Sequence, residues 1–307
     1  MRVLFYGTPA FAVPTLEALL SHHEVVGVVT QPDRPAHRGQ RLTEPPVKAL
    51  ARASGIRVLQ PARLRDAGWP EQLSVFAPEV AVVVAFGQIL PRAVLDVPAR
   101  GSINVHGSVL PRYRGAAPIQ WAVIRGETDT GITTFQMDPG MDTGPVLLSA
   151  ATPIGPDETA GELAARLAEL GAQVLLDTLA RLDGLEPVPQ RDAEASLAPR
   201  LKKSDGYLRW DRSATELRNL IRGCNPWPGA VTVTPLGPLT LWRAHAVATS
   251  VDAIPGTLVA HERTLAITTG EGLLVPTEVQ PESRRAVAWD EYLRGARLLA
   301  GARFTSP

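Results

Sequence analysis

Cysteine is almost absent from this 307-residue chain: Cys224 stands alone, so no internal disulfide forms and no multi-cysteine zinc site can be assembled. The six histidines fall in neither HxH nor HExxH spacing, so the sequence presents no metal centre. Long apolar runs are missing too. The longest, Val80–Phe86, is far short of the roughly 20 residues of a membrane span. Neither sign of charge is in excess, with 31 Lys and Arg against 31 Asp and Glu. The turn Gly7-Thr8-Pro9 follows a first strand but lacks the further glycines of a dinucleotide fingerprint. A GxxxxGK[ST] phosphate loop and a GxSxG nucleophile elbow are both absent. Redox, nucleoside-triphosphate and serine-hydrolase chemistry therefore have no cradle in the sequence.

What is present fits a globular protein. Hydrophobic residues make up 45% and charged residues 20%, enough apolar surface to offset the entropy of ordering the chain. The length favours two domains. Met1–Tyr6 is cut short by Gly7 and Pro9, so it reads as a strand rather than a leader, and the expected location is the cytoplasm. From Arg200 to Pro307 there are 14 basic and 10 acidic residues. That offset does not identify a nucleic-acid binder, but it permits local contacts to a polyanion.

The first half alternates short β-rich runs with helical patterns. Val3–Tyr6, Val25–Thr30, Arg57–Leu59, Val80–Ala85 and Ile103–Val105 read as strands. Pro14–Leu20, Val47–Ala53 (with Gly55 as its C-terminal cap) and Glu71–Phe76 read as helices. Such alternation predicts a Rossmann-like α/β domain with a mostly parallel sheet, whose ligands gather beyond the carboxyl ends of the strands. Ile132–Gln136 and Val146–Ala151 read as a hairpin-like pair around Asp138–Asp142. Thr159-x-x-Glu162 has the form of a capping box opening a long helix. Pro187, Pro189 and Pro199 mark a linker. Beyond it, a capped helix at Ser213–Arg222 precedes five short β runs, the spacing of a smaller β-rich, OB-like barrel closed by a helix at Trp289–Leu299. The expected division is 1–183, a linker over 184–205, and 206–307.

The densest segment is Ser102–Gly115. A strand ending in Asn104-x-His106 sends both side chains to one side. Asn supplies an uncharged donor, and His donates, accepts or becomes cationic near neutral pH. Asp142, in a glycine-rich turn, is the candidate carboxylate to orient the imidazole. The trio contains no hydroxyl or thiol nucleophile, which suits direct acyl transfer to an amine with donors on the developing oxyanion. On spacing alone, Asn-x-His is more often a hydrogen-bonded structural pair than a catalytic one, and Asp142 more often an ordinary turn residue.

Ser108-Val109-Leu110-Pro111-Arg112-Tyr113-Arg114-Gly115-Ala116-Ala117-Pro118-Ile119-Gln120-Trp121 closely resembles the signature of the folate-dependent formyltransferases. Further matches are Gly7-Thr8-Pro9, Gln31–Pro35 with Arg38-Gly39, Met141–Pro145, Ala198–Lys203 and Asn225–Ala230. The resemblance implies transfer of a formyl group from 10-formyltetrahydrofolate to the α-amine of methionine esterified to initiator tRNA. It also implies Asn104, His106 and Asp142 as catalytic residues and no metal. By the same resemblance, folate is held by Phe86, Gly87, Gln88, Ile89 and Leu90, by Ser108, Val109, Leu110 and Pro111, and by Asp138 and Gly140. The basic loop Gln31–Lys48, with Arg34, Arg38 and Arg41, is implied to meet the tRNA acceptor end, Arg38 sensing the unpaired first position. Lys202 and Lys203 are expected on phosphates. Arg112 and Arg114 are left open between ligand contacts and solvated loop charges. Cys224 is expected as a small buried hydrophobe, and the chain as a monomer.

Two departures from the family pattern bear on the RNA contacts: Glu282 and Ser283 stand where a glycine and a basic residue are common, and His37 and Gln40 lie in the RNA-facing loop. Three other readings remain open. An amino-sugar formyltransferase would share the catalytic trio, a formyltetrahydrofolate hydrolase would use water as acceptor, and an RNA-binding protein on the same scaffold would lack catalysis.

Overall fold

A computed structural model describes residues 1–36, 41–249 and 251–307. The elements run β1 (Arg2–Gly7), α1 (Val13–His22), β2 (Glu24–Val29), β3 (Arg34–Ala36), β4 (Arg41–Thr43), α2 (Pro46–Ala53), β5 (Val58–Leu59), α3 (Trp69–Ser74) and β6 (Val80–Val84). There follow α4 (Arg92–Leu95), β7 (Ser102–His106), α5 (Pro118–Ile124), β8 (Asp129–Gln136), β9 (Val146–Pro153) and α6 (Ala160–Arg181). The remainder comprises α7 (Ala214–Gly223), β10 (Ala230–Thr234), β11 (Gly237–Val247), β12 (Leu258–His261), β13 (Thr264–Thr268), β14 (Leu273–Pro281), β15 (Val287–Ala288) and α8 (Trp289–Ala296).

Contacts divide the chain into two units. The first holds Met1–Pro118, Asp129–Pro153 and Ala164–Pro199; the second holds Ile119–Thr128, Ile154–Leu163 and Arg200–Pro307. The first is built on a seven-stranded sheet of order β5-β2-β1-β6-β7-β8-β9. Strands β5, β2, β1, β6 and β7 pair in parallel, and β8 and β9 complete the sheet antiparallel. All five residues of β6 are buried, as a strand covered on both faces requires. Each fully buried aliphatic side chain there contributes about 1.5–3 kcal/mol. The strand order reverses beside β1, with β2 on one side and β6 on the other, which makes the carboxyl ends of these strands the natural ligand edge. Three loops at that edge are tied together. Thr8 Oγ1 donates to Phe86 O at 3.0 Å, Gln31 Nε2 donates to the same carbonyl at 3.2 Å, and Gln31 N donates to Thr8 Oγ1 at 3.3 Å.

The second unit carries an antiparallel sheet of order β10-β11-β14-β13-β12, with β15 on β14. Its edge strands are stitched by the last residues of the chain. Thr305 N donates to Val233 O at 2.9 Å beside β10, and Leu258 N of β12 donates to Ala302 O at 2.8 Å. Phe304, 1% exposed, fills the core between them with Trp210, Trp289 and Leu241. That closure gives the OB-like barrel character expected from the spacing of the β runs.

Both capping boxes form. Ser213 Oγ accepts from Glu216 N at 3.2 Å at the start of α7, and Thr159 Oγ1 accepts from Glu162 N at 3.2 Å at the start of α6. The Thr159 N–H first, and then the Arg243 guanidinium at 2.5 Å, hold the Glu162 carboxyl at about 2 against an ordinary 4.5. A depressed carboxyl stabilises the fold above the unfolded value and loses that contribution as pH falls through the folded one. Glu162→Gln is therefore expected to lower Tm at neutral pH, with the gap to wild type closing between pH 4.5 and about 2. A gap that persists unchanged to low pH would contradict this role.

Three expectations differ from the structure. Residues 184–199, expected as a linker, belong to the first unit, anchored by Val188 pairing with Val146 and Ala198 with Arg114. The expected loop Gln31–Lys48 contains the β3–β4 hairpin, whose three-residue strands are too short for alternation to show. Helix α5 lies inside the signature segment and escapes notice because only Ile119, Ala122 and Val123 mark its buried face.

Candidate active site

Strand β7 carries two side chains to the site. Ile103 and Val105 are buried on one face, Val105 lying close to Gly171 of α6, and alternation sends Asn104 and His106 to the other. His106 is only 6% exposed. Its Nε2 lies 2.9 Å from Tyr113 O. A carbonyl only accepts, so Nε2 carries the proton and Nδ1 is the atom turned to Asp142 Oδ2, at 3.7 Å. The neutral ring presents a lone pair to that carboxylate; the protonated ring presents a donor to each neighbour. Phe135 packs edge-on against the ring, with centroids 6.4 Å apart. Asn104 is half-buried, and its carboxamide has no side-chain hydrogen bond among the described residues. An amide donor at a site edge with nothing to bond is available for a ligand oxygen.

Asp142 reaches this pair because the turn after β8 folds back over the sheet. Asp138 Oδ1 accepts from Gly140 N at 3.0 Å and Thr143 Oγ1 at 2.7 Å, which closes the turn locally. Asp142 itself takes a left-handed φ of 55°, tolerable for aspartate. A side chain at Gly144 would collide with the Gln136 carbonyl, so the return strand approaches closer than any other residue allows. The carboxylate is then gripped from the signature loop, where Gly115 N donates to Asp142 Oδ2 at 2.7 Å. The structure thus brings His106 and Asp142 together from one strand and one turn, with Asn104 two residues before His106 on the same face of β7.

The residues expected on folate divide by exposure. Phe86 and Leu90 are buried in the core that also holds Tyr6 and Leu64, whereas Ile89 is 84% exposed. Gly87 takes a φ of 84°, turning the loop at the end of β6. Gln88 is committed to the fold, accepting from Leu64 N at 2.8 Å and donating to Pro61 O at 3.0 Å. Since Val83 pairs in parallel with Asn104, the loop 85–90 leaves the sheet beside the candidate trio. Ser108 is buried and donates to Arg112 O at 2.6 Å, Leu110 N donates to Thr133 Oγ1 at 3.1 Å, and Pro111 O accepts from Ser196 N at 3.3 Å. Val109 is half-buried in the same loop. Asp138 and Gly140 shape the Asp142 turn as above.

Of the residues expected on RNA, Arg34 is exposed on β3 and donates to Gln31 Oε1 at 3.1 Å. Arg41 lies in β4, and Arg38, with His37 and Gln40, lies outside the described residues. Lys202 and Lys203 are exposed. Arg114, left open by the sequence as a ligand contact, is instead buried and paired with Asp192 at 2.9 Å and with Gln190. Arg112 stays at the surface with its guanidinium 5.4 Å from the centre of the Tyr113 ring. Burial pushes the Cys224 thiol up to about 12, which makes it an inert apolar group.

Residues 1–179 match the formyl transferase family and residues 200–297 match the formyl transferase C-terminal domain. A methionyl-tRNA formyltransferase of Sorangium cellulosum is 49% identical over 306 residues, covering 98% of each chain. One of Desulfotalea psychrophila is 47% identical over 302 residues, covering 97% of this chain and 94% of its own. Among solved structures, an N-formyltransferase from Helicobacter canadensis in complex with folinic acid and dTDP-3-aminofucose superposes with a TM-score of 0.64. That match covers 90% of this chain and 99% of the other at 18% identity, a likeness of fold. With both of its domains matched and nearly its whole length aligned to such relatives, the chain belongs to the methionyl-tRNA formyltransferase family.

Proposed function

We propose that this chain transfers the formyl group of 10-formyltetrahydrofolate to the α-amine of methionine esterified to initiator tRNA, giving formylmethionyl-tRNA. The observation that carries the chemistry is the buried His106 imidazole facing the Asp142 carboxylate, with the Asn104 carboxamide, which has no side-chain hydrogen bond among the described residues, on the same face of β7. Asn104 donates to the formyl oxygen and polarises the carbonyl. The amine nitrogen adds to the formyl carbon, and negative charge grows on the oxygen. Asn104 stabilises that charge as a hydrogen-bond donor, lowering the barrier by about 3–4 kcal/mol. The protonated His106, whose N–H groups face Tyr113 O and Asp142, adds its positive charge beside it. The bond from the formyl carbon to N10 of the folate then breaks. Asp142, directly or through water, takes the proton from the amine and delivers it to N10, while holding His106 in orientation. The trio holds no hydroxyl or thiol, and both imidazole nitrogens face protein groups, so the transfer is direct, without a formyl-enzyme.

Residues 86–90, 108–111, 138 and 140 are the proposed folate cradle, with backbone groups on the pterin and the apolar side chains around it. Arg34, Arg38 and Arg41 are proposed at the acceptor end of the tRNA. Lys202 and Lys203 are proposed on phosphates, so that binding weakens as salt rises. The proposed division of labour is catalysis in 1–183 and tRNA binding in 206–307, in a cytoplasmic monomer.

The test offers the purified protein 10-formyltetrahydrofolate with methionyl initiator tRNA, methionyl elongator tRNA or a UDP-amino sugar. Formylation of the initiator well ahead of the other two is expected. Turnover of the sugar alone, or release of formate at full rate without any acceptor, would overturn the proposal.

A further inference from the structure

Gln190 lies in the stretch that the sequence presents as a linker, yet it reaches the turn that carries Asp142. Its Nε2 donates to Asp142 O at 2.9 Å and to Gly144 O at 2.7 Å. Its Oε1 accepts from Arg114 Nε at 3.0 Å and Nη2 at 2.8 Å. The direction of the amide is forced. A guanidinium only donates and a carbonyl only accepts, so a flipped amide would face donor to donor on one side and acceptor to acceptor on the other. Arg114 is itself buried, and its Nη2 also pairs with Asp192 Oδ1 at 2.9 Å.

Two adjacent residues of the signature loop therefore grip Asp142 by separate routes. Gly115 holds the carboxylate directly at 2.7 Å, and Arg114, through Gln190, holds the main chain at the carbonyls of Asp142 itself and of Gly144 just after it. Asp142 needs this support. Its φ of 55° lies in the left-handed region, which aspartate tolerates but does not prefer over the ordinary right-handed and extended states, so the turn gains its fixed shape from these bonds. Released from the clamp, the turn can relax and carry the carboxylate away from His106.

We infer that Gln190, oriented by Arg114, is a positioning residue for formyl transfer, acting through Asp142 and not on substrate. The inference rests on the role of Asp142 proposed above. Gln190→Met keeps the length of the side chain and removes all four hydrogen bonds. It is expected to lower kcat about tenfold or more, the effect of a displaced catalytic group, with both KM values near wild type.

A double-mutant cycle with Asp142→Asn separates this from a general structural role. In the Asp142→Asn background, adding Gln190→Met is expected to change kcat by less than about twofold, because the carboxylate it positions is gone. Effects that multiply, or wild-type kcat in Gln190→Met alone, would overturn the inference while leaving the role of Asp142 intact. If Asp142→Asn itself keeps wild-type kcat, the proposed chemistry fails first and the inference falls with it. Gln190→Glu provides a second arm should Gln190→Met not fold. It retains an acceptor for Arg114 but sets a carboxylate oxygen against the carbonyls of Asp142 and Gly144, and the same cycle and the same outcomes apply.

Discussion

Replacing Asn104 or His106 by alanine is expected to lower kcat for formyl transfer by about 100- to 1,000-fold, the usual effect of removing one group that stabilises the oxyanion. The reason lies in their different states in the folded chain. The Asn104 carboxamide makes no internal side-chain bond among the described residues, so its removal costs the fold little and the reaction a great deal. His106 is buried and bonded to the Tyr113 carbonyl, so its removal also strands an acceptor, at about 1–3 kcal/mol of stability. Asn104→Ala should accordingly unfold near the wild-type Tm, and His106→Ala below it. The double variant should lose much less than the product of the two single effects, because both residues act on the same oxygen. Steady-state kcat and thermal unfolding of the three variants read this directly. A loss of less than about fivefold in either single variant would remove that residue from the oxyanion site.

Gly115→Ala is the second large effect, and it falls on stability and rate together. Gly115 has a φ of 126°, a backbone state open to glycine alone. A Cβ there would lie 2.6 Å from the Ala198 carbonyl oxygen, a backbone atom that cannot swing aside as a side-chain tip would. Strain and overpacking together are expected to cost about 2–4 kcal/mol. The displacement also moves the amide that donates to Asp142 at 2.7 Å, so kcat should fall by about 10- to 100-fold. Thermal unfolding and kcat on the same preparation check both parts. An alanine variant with wild-type Tm would mean that the signature loop is looser than its packing implies.

The sequence makes some of this legible and leaves the rest dark for identifiable reasons. Val80–Val84 is an unbroken apolar run because a central parallel strand is buried on both faces, and Asn104 and His106 fall on one face because strands repeat every second residue. The boxes Thr159–Glu162 and Ser213–Glu216 are visible because capping is local. Asp142 could be singled out only through its motif, since the bond that fixes it comes from Gly115, 27 residues away. Arg114 and Gln190 are 76 residues apart, and neither periodicity nor turn chemistry connects them. An arginine in a loop reads as a surface charge until a buried acceptor is found for it. The prolines of 184–199 likewise suggest a free linker, whereas the segment is held through backbone pairing with Val146 and Arg114 that composition does not encode.

The most direct test of the catalytic arrangement is a crystal structure of this chain with 10-formylfolate, which carries the formyl group on N10 as the substrate does, grown without an amine acceptor. The formyl oxygen is expected within about 3.2 Å of Asn104 Nδ2, with the formyl carbon beside the His106–Asp142 pair. A formyl group bound away from Asn104, or Asp142 turned from His106 in the occupied site, would contradict it.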